Sequence, residues 1–544
     1  MLFHEFIRLA GGVKNVLRVL LPHNQVALCI NDVTLVSNDL PLGVTLEKVL
    51  DETHLVSSGS VEPTPVDLLN LGKEIDTNLR EKASLCFKQK ASAYRPGWHV
   101  SPPQGLLNDP NGFIFHQGKY YLCFQWYPFE CIHKDKYWVQ MSSDDLINWN
   151  RESIALTPSD WFDSHGVYSG HAVSCEDGIM VFYTGNTRIG DDRIRQTTQC
   201  AAITKDGKHY DKLGPLIPQI PLGVTEHIRD PKVIFHEDKW WMFLGAQTTD
   251  LKGRLAIYTS SDLLEWDYKG LFGQELGDYG YMWECPDVFK LDGQYYLAFS
   301  PQGIEPDSSY NTLPHQNRIA PLEFTNKGGI TIGQPVTLDY GFDFYAFQST
   351  ETSDSRRVMI GWMGLPDEVN QPSCDDGWIH QFSLPRVLCM ENGILKQQPC
   401  VELERLRGEK IDFPCIAGTH ELKTKQFDLS LKLKAGGEIQ LFADDTFHTT
   451  LRYEPDEHRL VWERANTELR ESDTTREAPV AGDWVELRIL ADNSSLEIFI
   501  NDGEAVMTGR VFTPATATRL ILDNQVIDVS GYYLSDSQLP FANQ

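Results

Sequence analysis

Basic residues are scarce in this sequence. It has 48 lysines and arginines against 76 aspartates and glutamates, which gives a formal net charge of -28 at pH 7. Nucleic acids and anionic membrane surfaces are bound through clustered lysine and arginine, so the composition predicts that neither is a partner. A neutral sugar remains compatible with this charge, as does a small anion held in one local basic pocket.

Cysteine motifs and long apolar runs are also missing. The 11 cysteines are scattered, without CxxC pairs or the Cys/His spacing of a zinc site, which predicts free thiols in a reducing compartment and no metal centre. The N-terminal segment MLFHEFIRLAGG contains Glu5 and lacks the apolar core of a signal peptide. No uncharged apolar stretch is long enough to cross a bilayer. We therefore expect a cytoplasmic protein.

An internal repeat occupies the middle of the sequence. FIFHQGKYYLCF (113–124) matches VIFHEDKWWMFL (233–244) without a gap, and DVFKLDGQYYLAF (287–299) has the same order of apolar strand, polar turn and aromatic strand. Weaker copies are HAVSCEDGIMVFYTG (171–185) and RRVMIGWMG (356–364). The copies recur about every 60 residues, a period typical of β-propeller blades. Aligning their second strands pairs five positions: Tyr121, Met180, Trp241, Tyr296 and Val358.

This repeat predicts an all-β protein whose main part is a five-bladed β-propeller at residues 93–395. Alternating apolar and polar residues in FDLSLKLKA, EIQLFAD, WVELRILAD and SLEIFIN predict a C-terminal β-sandwich at 400–544. Residues 1–92 form a small N-terminal extension of uncertain fold and unknown role. Within it, VLRVLL and QVALCI are expected to be short strands and residues 67–90 an amphipathic helix.

Three acids lie at matching points of three repeats. Asp109, Asp230 and Glu284 precede the aligned strand position by 11 or 12 residues, in the motifs NDP, RDP and ECP. The first strand of each propeller blade lines the central channel, so the three carboxylates should converge on one cavity. Nothing in folding requires three mutually repelling groups to meet, and we interpret their convergence as functional.

Converging carboxylates suit glycoside hydrolysis. One carboxylate attacks the anomeric carbon, and a second, protonated one donates to the leaving oxygen. Mutual repulsion raises the pKa of one group and keeps it protonated near neutral pH. A third acid can hold sugar hydroxyls.

The acids and their neighbours resemble glycoside hydrolase family 32, the β-fructofuranosidases, which include invertases and bacterial sucrose-6-phosphate hydrolases. The likeness covers about residues 93–535, and it implies a retaining hydrolase that needs no cofactor or metal. The motifs occur in the order NDPNG (108–112), QWYP (125–128), YSGHAV (168–173), RDP (229–231), WECPD (283–287), DYGFDFYA (339–346) and IGWM (360–363).

The resemblance also implies roles for individual residues. Asp109 would be the nucleophile, Asp230 the transition-state stabiliser and Glu284 the general acid/base. Leu107 and His133 depart from the commonest family pattern, which affects substrate choice and not the reaction. The residues implied to bind substrate are Leu106, Leu107, Asn108, Gln125, Tyr168, Ser169, Arg229, Tyr345 and Trp362.

The expected substrate is sucrose 6-phosphate or sucrose, and a cytoplasmic location favours the phosphorylated sugar. Two alternatives stay open: a fructan hydrolase or fructosyltransferase, and a non-catalytic sugar-binding propeller. The intact acid trio argues against the second, because pure binding has no use for a nucleophile beside a proton donor. The sequence does not indicate the oligomeric state.

Overall fold

The structure is a computed structural model that describes residues 1–306, 310, 313–326 and 328–541. Residues 307–309, 311–312 and 327 of the predicted propeller, and 542–544 of the predicted sandwich, lie outside the described residues. Strands account for most of the regular structure. No helix within the described ranges is both long enough and apolar enough to span a membrane.

The first part of the chain folds as a small α/β unit. Its elements are α1 (Phe3–Leu9), β1 (Val16–Leu20), β2 (Gln25–Ile30), β3 (Val44–Val49), β4 (Glu52–Ser58) and α2 (Pro65–Ser84). The strands form one antiparallel sheet in the order β1-β2-β4-β3. The predicted strands VLRVLL and QVALCI are confirmed as β1 and β2.

Helix α2 is fixed at its start by a capping box. The Thr64 hydroxyl accepts from the Asp67 N–H at 3.1 Å, and the Asp67 carboxylate accepts from the Thr64 N–H at 2.9 Å. Leu71 and Ile75, one turn apart, are buried in the core of the N-terminal unit. The predicted helix is confirmed, although it ends before residue 90 because the chain tightens into a 3-10 turn.

Five sheets follow, one for each predicted repeat. Blade 1 contains β5 (Gly105–His116), β6 (Lys119–Tyr127), β7 (Tyr137–Ser143) and β8 (Asn150–Leu156); blade 2 contains β9 (Val167–Cys175), β10 (Gly178–Ile189), β11 (Ile194–Thr204) and β12 (Asp211–Ile217). Blade 3 contains β13 (Val224–His236), β14 (Lys239–Thr248), β15 (Gly253–Ser260) and β16 (Asp267–Phe272). Blade 4 contains β17 (Met282–Leu291), β18 (Gln294–Gln302), β19 (Arg318–Phe324), β20 (Ile330–Ile332) and β21 (Val336–Thr337). Blade 5 contains β22 (Tyr345–Glu351), β23 (Arg357–Met363) and, after β24 (Trp378–Ile379), which joins blade 1, β25 (Gln381–Phe382), β26 (Arg386–Glu391) and β27 (Ile394–Pro399).

The first strands of the blades form a closed ring. Each of β5, β9, β13 and β17 contacts the first strand of the next blade, and β22 contacts β5. The five aligned positions all lie in second strands, namely β6, β10, β14, β18 and β23, which confirms that one repeat is one blade. The parallel pairing of β24 with β5, with Trp378 opposite Gly105, also ties the end of blade 5 to blade 1.

The C-terminal part is a β-sandwich of two six-stranded sheets, as predicted. Its strands are β28 (Arg407–Lys410), β29 (Gly418–Glu421), β30 (Phe427–Lys434), β31 (Glu438–Ala443), β32 (Thr449–Glu454), β33 (Arg459–Glu463), β34 (Thr475–Pro479), β35 (Trp484–Asp492), β36 (Ser495–Ile500), β37 (Ala505–Arg510), β38 (Arg519–Leu522) and β39 (Val526–Leu534). The sheet orders are β28-β39-β30-β35-β36-β37 and β29-β38-β31-β32-β33-β34. Alternate residues of the four predicted strands point between the sheets and form the core, for example Leu429, Leu441 and Ile489.

A buried ionic network joins the propeller to the sandwich. Arg386 donates to Asp339 at 2.9 Å and to Glu497 at 2.5 Å. The ring of His99 lies between Glu497, at 3.0 Å, and Asp492, at 2.9 Å. All five side chains are fully buried. Removing one member would leave an uncompensated charge in the interior, so the network fixes the sandwich against the propeller.

Candidate active site

Backbone irregularities aim three carboxylates at the propeller axis. In β5, β13 and β17 the pairing with the second strand shifts register beside Asp109, Asp230 and Glu284. Asp230 has a φ of 66°, and Cys285, next to Glu284, has a φ of 49°. Bulges of this kind re-aim a side chain. Left-handed backbone at a non-glycine residue costs roughly 1–3 kcal/mol, so the fold accepts strain at these positions.

The three predicted acids line one cavity of about 400 Å³. Cys285 lies between two of them: its Sγ is 3.6 Å from Oδ2 of Asp109 and 3.6 Å from Oδ2 of Asp230. The backbone N–H of Cys285 also donates to Asp230 at 2.9 Å. The structure therefore brings Asp109, Asp230 and Glu284 together at one end of the ring of first strands.

The predicted substrate-binding residues divide into two groups. Leu106 and Leu107 are fully buried; Leu106 packs against Tyr127 and Ile379, and Leu107 belongs to the core between blades 1 and 5. Their side chains do not line the cavity, because both pack into hydrophobic cores of the propeller. The others line the cavity: Asn108, Gln125, Tyr168, Ser169, Arg229, Tyr345 and Trp362.

Asp109 is oriented by three polar neighbours. The Ser169 hydroxyl donates to its Oδ2, and Asn108 Nδ2 donates to its Oδ1 at 3.0 Å. Gln125 ties these donors together, since it accepts from Asn108 at 2.5 Å and donates to Ser169 at 2.8 Å. Burial raises the pKa of Asp109; the hydrogen bond from Ser169 opposes that rise, and the charge of Glu284 adds to it.

Arg229 separates the protonation behaviour of Glu284 from that of Asp230. Its Nε and Nη2 donate to Oε1 of Glu284 at 2.9 and 2.6 Å, and the Tyr345 hydroxyl donates to Oε2 at 2.7 Å. Burial favours a higher pKa for Glu284, but Arg229 and Tyr345 outweigh it and hold the pKa below its usual value. Burial raises the pKa of Asp230 to about 7 against the opposing charge of Arg229. The raised pKa was expected on the proton donor, whereas the raised pKa values belong to Asp109 and Asp230.

The raised pKa of Asp230 predicts a pH-dependent stability effect. Folded Asp230 keeps its proton up to about pH 7, whereas the unfolded group loses it near pH 3.8. The folded state binds more protons between these values, so the protein loses stability as pH rises through that window. Asp230→Asn cannot ionise, and we expect it to raise the free energy of unfolding at pH 8 by about 1–3 kcal/mol over wild type. The difference should fade towards pH 4.

Urea unfolding at several pH values measures this effect. Asp238→Asn is the matched control, because Asp238 is exposed and lies in the turn between β13 and β14. Its free energy of unfolding should follow that of the wild type at every pH. A stability difference for Asp230→Asn that stays constant from pH 4 to pH 8 would contradict the assignment.

The same cavity also contains a group of basic residues that was not predicted from the sequence. The lining includes Lys134, Lys136, Arg188, Arg193 and Arg195. Three of these come from the single stretch RIGDDRIR (188–195), which lies outside the seven family motifs. The detectable signal was the density of arginine in a strongly acidic chain.

A ring of blades with three carboxylates gathered in one polar cavity is the arrangement of a glycoside hydrolase. The model of the glycosyl hydrolases family 32 N-terminal domain matches residues 99–399, and that of the family's C-terminal domain matches residues 402–530. The chain belongs to glycosyl hydrolase family 32.

Relatives are found among both sequences and solved structures. A protein of Vibrio cholerae serotype O1 named as a probable sucrose-6-phosphate hydrolase is 50% identical over 99% of this chain and 98% of its own length. The sucrose-6-phosphate hydrolase of Bacillus subtilis is 39% identical over 80% of this chain and 94% of its own length. The structure of sucrose-6-phosphate hydrolase from Lactobacillus gasseri has a TM-score of 0.77 and 30% identity, and the match covers 85% of this chain and 96% of that chain. A β-fructofuranosidase from Bombyx mori, in complex with sucrose, has a TM-score of 0.74 and 28% identity over 85% of this chain and 98% of that chain.

Proposed function

We propose that this chain is a retaining β-fructofuranosidase that hydrolyses sucrose 6-phosphate and releases fructose. One observation carries the proposal: Asp109, Asp230 and Glu284 open into a single cavity from equivalent strands, among aromatic and amide side chains that suit a sugar. The relatives named as sucrose-6-phosphate hydrolases, at up to 50% identity, support the phosphorylated substrate over free sucrose.

In the proposed reaction Asp109 attacks the anomeric carbon of the fructosyl unit while Glu284 gives a proton to the departing glucosyl oxygen. The glycosidic bond breaks and a covalent fructosyl ester of Asp109 forms. Glu284, now a carboxylate, takes a proton from water, which displaces Asp109 and releases fructose. The two displacements retain the anomeric configuration. Asp230 lies beside Asp109 and would hold fructosyl hydroxyls as positive charge develops on the ring.

Substrate binding must place a proton on Glu284, because Arg229 and Tyr345 favour its carboxylate form. A sugar hydroxyl that accepts from Arg229 would weaken its pairing with Glu284, and a bound hexose would exclude water; both changes raise the pKa of Glu284. Before substrate enters, the raised pKa values belong to Asp109 and Asp230. The apparent pKa on the acid side of the pH–activity profile would therefore belong to the three carboxylates together and not to one residue.

The deciding experiment compares kcat/KM of the purified protein for sucrose 6-phosphate and for sucrose. We expect a preference of at least about 10-fold for the phosphorylated sugar, which corresponds to about 1.4 kcal/mol of extra transition-state binding. Proton NMR of the first-formed product should show the β-furanose form of fructose. Equal or better efficiency on sucrose would overturn the substrate assignment, and oligosaccharides accumulating at high sucrose would indicate fructosyl transfer.

We also propose a cytoplasmic location and a division into residues 1–92, 93–395 and 400–544. A sugar phosphorylated during uptake would meet the enzyme inside the cell, which is what a phosphorylated substrate requires. Fractionation of the source cells, with activity measured in each fraction, tests the location.

A further inference from the structure

The hairpin formed by β10 and β11 carries three arginines at the rim of the cavity. Arg188 and Arg195 lie directly opposite each other across the two strands, and Arg193 lies in the turn between them. All three line the cavity that contains Asp109. Like charges directly opposed in an antiparallel pair are destabilising. The hairpin therefore carries an electrostatic cost that its own folding does not require.

The side chains of these arginines are less fully paired than that of Arg229, which lines the same cavity. Within the described ranges none of the three forms an ion pair, whereas Arg229 in the same cavity pairs with Glu284. Nε and Nη1 of Arg195 are buried without a hydrogen-bond partner in the described part of the protein. Burial lowers the pKa of Arg195 to about 10. A buried donor without an acceptor is costly, and an anion bound at this position would accept hydrogen bonds from the Arg195 guanidinium.

The N-terminal unit partly offsets a competing negative charge at the cavity. Apart from the acid trio, Asp135 is the only acidic residue among the described residues that line the cavity. Arg18 of β1 reaches across to it at 3.1 Å and pairs with Glu52 of its own sheet at 3.0 Å. Arg18 thereby offsets part of the negative charge of Asp135 at the cavity wall, which weakens its repulsion of an entering anion.

The hairpin lines the same cavity as the proposed proton donor, Glu284. The charges of Arg229 and Glu284 both act on Arg195, and its guanidinium lies 5.6 Å from the ring centroid of Tyr168. Glu284 is the residue that protonates the glucosyl oxygen in the proposed reaction. A phosphate on the glucosyl unit, which departs from beside Glu284, would lie in the cavity that the hairpin lines.

We propose that Arg188, Arg193 and Arg195 form the binding site for the phosphate group of the substrate. This inference rests on the proposed function and names the residues that determine its specificity. Guanidinium groups present paired donors that match phosphate oxygens, and they bind phosphate more specifically than an ammonium does. A phosphate would also neutralise the repulsion between Arg188 and Arg195.

The test uses Arg188→Gln and Arg195→Gln, singly and together. Each change should lower kcat/KM for sucrose 6-phosphate by about 10- to 100-fold, mainly through KM, because one charge-assisted interaction is lost. The kcat/KM for sucrose should stay within about threefold of wild type. Thermal midpoints should stay unchanged or rise, because each change relieves the repulsion between the paired arginines.

Lys205→Gln is the matched control. Lys205 is exposed, directly follows β11 and is not part of the cavity lining. Its replacement by glutamine therefore removes one positive charge next to the same sheet. Its preference for the phosphorylated sugar should equal that of the wild type. Equal losses on both sugars in the arginine variants, or a preserved preference in the double variant, would overturn the phosphate site while leaving the hydrolase assignment intact.

Calorimetric titration with glucose 6-phosphate and with glucose separates the site from the reaction. Wild type should bind glucose 6-phosphate more tightly than glucose, and the double variant should bind the two alike. Should wild type cleave neither sucrose nor sucrose 6-phosphate, the proposed function fails, yet a loss of glucose 6-phosphate binding in the double variant would still support the site. Equal binding of both ligands by the wild type would refute it.

Discussion

Replacing Asp109 with asparagine should lower kcat for sucrose 6-phosphate by roughly 10³-fold or more, since an amide is a poor nucleophile and the covalent step is lost. The amide oxygen can still accept a hydrogen bond from Asn108 or from Ser169, so one of the two side-chain hydrogen bonds to this position is kept. Burial raises the pKa of Asp109, which means that the charged form is disfavoured in the fold. The variant should therefore be at least as stable as wild type at neutral pH.

A glucose 6-phosphate release assay measures kcat, calorimetry measures the affinity for sucrose 6-phosphate, and circular dichroism checks the fold. Asp238→Asn makes the same chemical change at an exposed site and should keep full activity. Intact-mass spectrometry must first exclude deamidation of the introduced asparagine to aspartate. Activity of Asp109→Asn above about a tenth of wild type would then contradict the proposal that Asp109 attacks the sugar.

Replacing Glu284 with glutamine should lower kcat for sucrose 6-phosphate by roughly 10²- to 10⁴-fold, because neither protonation of the leaving group nor activation of water remains. The loss should depend on the leaving group. Fluoride departs without a proton, so β-fructofuranosyl fluoride can still react with Asp109. The fructosyl ester should then accumulate, because the base for its hydrolysis is missing, and intact-mass spectrometry should detect it.

Two controls make this experiment decisive. The double variant Asp109→Asn/Glu284→Gln should form no adduct, because the attacking carboxylate is gone. Glu237→Gln, an exposed change in the turn after β13, should turn over both substrates like wild type. An adduct in the double variant, or none in Glu284→Gln, would mean that another group is the nucleophile.

The sequence predicted the propeller because the blades are copies of one another. Equivalent positions of the copies, such as that of Trp241, fall in the same strand of successive blades, so the repeat translates directly into a ring of blades. The sandwich followed from alternation along its strands. The N-terminal unit has no repeat and short strands, so individual elements could be predicted but not their arrangement into one sheet packed with α2.

The site was predictable only where it depends on chain position. Asp109 and Glu284 lie at equivalent points of first strands, and that equivalence is visible in the sequence. Their protonation depends on which side chains approach them. The two hydrogen bonds from the Arg229 guanidinium to Glu284 lower the pKa of Glu284, which was expected to be raised. The opposition of Arg188 and Arg195 depends on strand register across a turn, and the seven family motifs do not include these residues.

The strand that carries Asp109 has β6 on one edge, and its partner on the other edge comes from far along the chain. β24 pairs with Gly105 and Leu106 of β5, just ahead of Asp109. During synthesis β5 leaves the ribosome long before Trp378 does, and its edge stays open while four more blades are made. A nascent chain can collapse blade by blade, yet it becomes an enzyme only after the fifth blade has emerged. A message truncated upstream of that point would yield a product with an uncovered strand edge, which is a template for aggregation.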